Sequence, residues 1–89
     1  MHITRIEFAG KGTKATAEPF DRRRDDGTPL IYTKIHHAET GEILAEDWAA
    51  ADDRDEMWRM AEIMQFALDG FKGAESDIDG YYRALAHLA

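Results

Sequence analysis

Apolar and polar positions alternate through the first half of this chain and recur at helical spacing through the second. From His2 to Ala9, Ile6 and Phe8 fall on one side and Arg5 and Glu7 on the other, which predicts a strand. Gly10-Lys11-Gly12 follows as a tight turn, because glycine supplies the positive φ that short hairpins require. Thr13 to Phe20 reads as a second strand rich in Thr and Ala, with Pro19 near its end. Residues 21–29 form a polar loop with an Asp26-Gly27 turn signal.

Leu30 to His37 has the clearest strand pattern in the chain. Ile31, Thr33, Ile35 and His37 share one face, and Leu30, Tyr32, Lys34 and His36 share the other. A three-residue hairpin loop, Glu39-Thr40-Gly41, would pair Lys34 with Glu46, Ile35 with Ala45 and His37 with Ile43. That register makes an opposite-charge pair and gathers Ile31, Ile35, Ile43 and Ala45 as a core face. Tyr32, His36, Leu44 and Trp48 are left on the wetter side.

The period then changes. Asp53 and Glu56 form a capping box, and Met57, Met60, Ala61, Met64, Ala67 and Leu68 make a helical stripe. Asp47 is an alternative, earlier cap. Gly70 and Phe71 suit the helix's C-terminal stop. Ser76-Asp77-Ile78-Asp79 signals a second helix, with Ile78, Tyr82, Leu85 and Leu88 along one side. The expected fold is α+β: a four-stranded antiparallel sheet of two hairpins, followed by two helices packed on one face. Eighty-nine residues make one domain, residues 1–89, burying roughly 60–65% of the surface its unfolded chain exposes.

Composition adds limits. Without cysteine there is no disulfide and no thiolate zinc site. MHITRIEFAG lacks the basic segment and apolar run of a secretory signal, and no apolar run approaches the roughly 18 residues of a membrane span. The expected setting is the cytoplasm. Net charge is −7, unevenly distributed. Residues 1–38 carry seven basic and five acidic side chains, and residues 39–89 carry four and thirteen. Such a chain repels the phosphate backbone, so direct nucleic-acid binding is disfavoured and a basic protein surface is the expected partner.

Candidate chemistry is sparse. His36 and His37 point to opposite faces of a strand and cannot share one ion, and His2 and His87 add no ligand spacing. Neither histidine has a nucleophile placed beside it for a His–carboxylate mechanism. Gly10-Lys11-Gly12-Thr13 lacks the first glycine of a phosphate loop and no helix follows it. Glu75 to Gly80 resembles the start of a calcium loop, but Ala86 stands where a bidentate acid is needed. Arg22-Arg23-Arg24 is a possible anion clamp, partly neutralised by Asp21, Asp25 and Asp26. No metal, no cofactor and no enzymatic activity are expected.

The acids are harder to assign to ordinary solvation. Glu42, Glu46, Asp47, Asp52, Asp53, Asp55 and Glu56 lie within fifteen residues, opposed in that stretch only by Arg54. First-turn acids complement a helix dipole. The remainder, with Tyr32, Trp48 and Trp58, are expected to form a partner-binding surface where sheet meets helix. TKIHHAETGEILAEDW, followed by a capped helix on a small acidic cysteine-free chain, resembles small phage-encoded inhibitors of bacterial defence, including anti-CRISPR proteins. The resemblance lies in element order and composition and transfers no functional residues. It implies a non-enzymatic inhibitor that blocks a nucleic-acid-guided surveillance complex. The alternative is a homodimeric structural or regulatory module, or an antitoxin-like subunit, self-associating through Tyr32, Leu44 and Trp48.

Overall fold

The computed structural model describes residues 5–69 and 75–88, with the side chains of all of these but 21–23, 69 and 75–77. Four strands, β1 (Ile6–Gly10), β2 (Thr13–Arg23), β3 (Pro29–His37) and β4 (Ile43–Ala50), precede two helices, α1 (Arg54–Asp69) and α2 (Glu75–Ala86). The strands pair antiparallel in the order β1-β2-β3-β4, each with its sequence neighbours. The fold is therefore the expected α+β arrangement, with both hairpins joined through β2 and β3 into one meander.

Alternation decides which face is covered. Ala15 and Ala17 on β2, Ile31, Thr33 and Ile35 on β3 and Ala49 on β4 are buried beneath α1. The helix contributes Met57, Met60, Ala61, Met64 and Leu68, all at most 2% exposed. Small side chains in β2 let the flexible methionines settle close to the sheet. The second helix packs beside α1 toward β1: Leu85 and Leu88 join the core, and Tyr81 meets Phe8 edge-on at 5.0 Å.

One turn holds β1 and β2 against α1. Lys11 and Gly12 have φ of 46° and 79° between the paired residues Gly10 and Thr13, as a two-residue I′ hairpin requires. A Cβ at Gly10 would lie 2.4 Å from the Leu68 carbonyl oxygen, so only glycine allows this approach. The Thr13 hydroxyl shares its proton between the carbonyls of Gly10 (2.7 Å) and Ala67 (2.8 Å), tying the hairpin to the helix end.

Several expectations change. β2 runs to Arg23 instead of Phe20, through a register shift between Phe20 and Arg23, which shortens the loop. Lys34 and Ile35 pair with Glu46 and Ala45 as expected, but Ile43 pairs with His36 and not His37. Leu44 is the extra residue of this bulge, and a bulge puts the position on its far side, here Ile43, on the other face. Ile43 accordingly leaves the core and is 52% exposed; Ala45 keeps the face of Ile35 but is exposed. Gly41 adopts the positive φ expected of it, 76°. The first helix starts at Arg54, and Asp53 caps it by accepting the Glu56 N–H at 3.1 Å. Asp47 caps nothing, since β4 continues through Ala50. The second helix begins at Glu75, so Ser76 lies inside its first turn and not ahead of it. Gly70 and Phe71, the expected helix stop, lie outside the described residues.

Candidate interaction surface

The helices cover one face of the sheet and leave the other open. Across that open face the register builds four rows: Lys14–His36–Ile43, Thr16–Lys34–Glu46, Glu18–Tyr32–Trp48 and Phe20–Leu30–Ala50. Rings dominate the last two. Tyr32 and Trp48 stand 5.2 Å apart between centroids, and Phe20 lies 5.8 Å from Tyr32 and 6.0 Å from Trp48. Trp48 is 41% exposed, a large apolar side chain that its neighbours cover only in part.

Carboxylates surround these rings. The Tyr32 hydroxyl donates to Glu46 Oε2 at 2.6 Å. That hydrogen bond, then burial, then the charges of Glu46 and Glu18, push its pKa up to about 12. Each favours the protonated phenol over a phenolate. The polar rim is thus held in place, with Glu46 fixed against the ring system.

The structure divides the seven acids among separate places. Glu46 is on the open face. Asp47 faces the helix side across from Thr33. Glu42 lies in the hairpin loop before β4, and eight strand residues at about 3.3 Å each separate it from the opposite end of that strand. Asp52, Asp53, Asp55 and Glu56 gather where β4 enters α1. There Asp53 is occupied as cap: the Glu56 backbone N–H holds its carboxyl below the usual range, with a smaller contribution from Arg24. Glu56 is paired with Arg24 of the β2–β3 turn, so a second arginine besides Arg54 opposes the corner. Asp52 and Asp55 remain exposed. Trp58 faces α2, its ring 5.5 Å from Tyr82, and does not join Tyr32 and Trp48.

Phe20 belongs to the ring cluster but is missing from the expected site. Alternation of Lys14, Thr16, Glu18 and Phe20 would have placed it there had the β2–β3 pairing been worked out. The other candidates have ordinary roles or fall outside the description. His37 accepts the Glu39 N–H at 3.4 Å within its turn, and His36 lies on the open face. Gly10 to Thr13 is hairpin, and Glu75 to Gly80 is helix. The side chains of Arg22 and Arg23 and all of His2 lie outside the described residues. Among the described residues, no three His, Asp or Glu side chains converge as a metal site would need. No helix among them is long and apolar enough to cross a membrane.

No family model matches the chain, and comparison with curated proteins and with solved structures finds no match.

Proposed function

We propose that this chain is a non-enzymatic, cytoplasmic binding protein that lays its open sheet face on a basic surface of a protein partner. The partly exposed cluster of Phe20, Tyr32 and Trp48, rimmed by Glu18 and Glu46, carries the reading. Tyr and Trp are favoured anchors because they bury large areas with few rotatable bonds, and a rim of fixed charge selects the partner's sign. A net charge of −7 adds long-range attraction toward basic surfaces and repulsion from nucleic acid. Basic protein surfaces commonly serve to hold nucleic acid, so occupying one would inhibit. The resemblance to phage-encoded defence inhibitors points the same way, to a nucleic-acid-guided surveillance complex. A homodimeric module or antitoxin-like subunit is the second reading, drawn from the exposure of Leu44 and Trp48.

The test is capture from bacterial lysate at low and moderate salt with the intact chain and with Trp48→Ala. The proposal expects a nucleic-acid-handling complex that is released by salt, displaced by its own nucleic acid and lost with Trp48→Ala. A chain that captures nothing and runs as a stable dimer by light scattering would favour the second reading.

A further inference from the structure

Strand β4 lies at the sheet edge, and its bonding pattern states which of its backbone groups are spare. The Ala51 N–H donates to the Pro29 carbonyl at 2.9 Å, in the same register as the Ile31–Ala49 and Thr33–Asp47 pairs. Bonded pairs alternate in an antiparallel ladder, so odd residues 45 to 51 bond to β3. Glu46 and Trp48 therefore turn their N–H and C=O groups toward the empty edge. The Trp48 N–H donates only locally, to the Asp47 carboxylate at 2.9 Å. A charged side chain on an edge donor guards against indiscriminate strand pairing. It leaves the donor available to a better-aligned carbonyl.

A groove of about 270 Å³ runs along the same edge on the helix side, between β4 and α1. Ile35, Ala45, Met60 and Ile63 form its apolar lining, with Glu46, Asp47 and Arg59 as charged neighbours. It exists because α2 lies on the β1 side of α1, leaving the flank over β4 uncovered; Ile63 is 36% exposed there.

We infer that the β4 edge and this groove together accept an extended segment of a partner protein with alternating apolar and basic side chains. The inference deepens the binding-protein reading and rests on it. An added strand places its side chains alternately on the two faces. Those opposite Ala45 and Asp47 enter the groove, where an apolar side chain fits against Ile35, Met60 and Ile63. Those opposite Glu46 stand on the open face, where a lysine or arginine makes a cross-strand ion pair. A second copy of the chain fits poorly. Pairing β4 with itself, faces matched, brings Glu46 onto Glu46 or Asp47 onto Asp47 in the central registers.

The test uses the isotope-labelled full chain and three synthetic peptides: alternating Val and Lys, alternating Val and Glu, and the Val–Lys peptide N-methylated on one set of alternate amides. The Val–Lys peptide should bind several-fold more tightly than Val–Glu and slow hydrogen exchange at the Glu46 and Trp48 amides. N-methylation of the bonding set should abolish binding, and Ile63→Arg, at a partly exposed position, should weaken it several-fold. No binding, equal binding of the methylated and unmethylated Val–Lys peptides, unchanged affinity of Ile63→Arg, or shifts confined to Phe20 and Tyr32 would each overturn the inference. Edge amides already protected in a dimer of the chain alone would overturn it in favour of self-pairing. The binding-protein reading is decided separately, by the lysate capture, which involves no peptide.

Discussion

Tyr32 joins two properties of the surface, since its ring packs on Trp48 and its hydroxyl holds Glu46. Raising the phenol from its ordinary value of 10.0 to about 12 means that the folded state binds this proton more tightly than the unfolded state. The stabilisation is complete below pH 10 and is lost as pH rises through about 12, the sign expected for a group whose folded pKa is raised. Absorbance titration of phenolate should show one tyrosine ionising late. In Glu46→Gln, that transition should move back toward pH 10, because both the strongest acceptor and the nearest charge are gone. An unshifted late transition would show that Glu46 is not the cause. The pairing of Lys34 with Glu46 was legible from charge and hairpin length, but the bond from Tyr32 to Glu46 was not. It runs diagonally across the pair and depends on ring placement that the alternation of residue types does not encode.

Among the elements, the helix start and the β1–β2 turn were readable because local chemistry determines both. Asp53 caps as its capping box predicts, and glycines stand in the turn where positive φ is needed. The cap also sets an acid response. Asp53 is held below its ordinary value of 3.8, so its contribution is present above that pH and fades as pH falls through the lowered value. Urea denaturation of Asp53→Ala should therefore show a lower midpoint than the parent at neutral pH, with the gap closing in strong acid. Gly10 makes a different point. Its turn role was legible, but its closeness to the Leu68 carbonyl is a tertiary fact. Gly10→Ala should destabilise by about 1–3 kcal/mol, the usual cost of overpacking, read as a lower urea midpoint. Gly12 has nothing within 4 Å of an added Cβ, so any cost of Gly12→Ala comes from its φ of 79° and not from a clash. The Leu44 bulge left no trace in the sequence. Ile43-Leu44-Ala45 is a run without alternation, and either register satisfies the flanking turn, so Ile43 was assigned to the wrong face.

At the scale of the whole molecule, seven acids close in sequence do not make one patch. A two-residue period sends Glu46 and Asp47 to opposite faces, and the length of β4 separates Glu42 from Asp52 and Asp55. Arg24, brought from another loop, takes up Glu56. Under the proposed function, attraction to a basic partner would arise in two ways: from exposed charge spread over the surface, and from the few acids fixed beside the aromatic rings. These two sources respond differently to salt and to substitution. Exposed charges act at a distance and are screened within about 8–10 Å at ordinary ionic strength, so they govern the rate of encounter. Charges buried beside Tyr32 and Trp48 in the complex would act on release. With the captured partner, Asp52→Asn combined with Asp55→Asn should slow association and flatten its salt dependence, with dissociation little changed. Glu18→Gln combined with Glu46→Gln should instead speed dissociation, and should do so even at salt that has removed the steering. Surface plasmon resonance across a salt series reads both rates. If the two pairs of substitutions behaved alike, the partner would be held by diffuse charge alone, and the aromatic face would have no special part in binding.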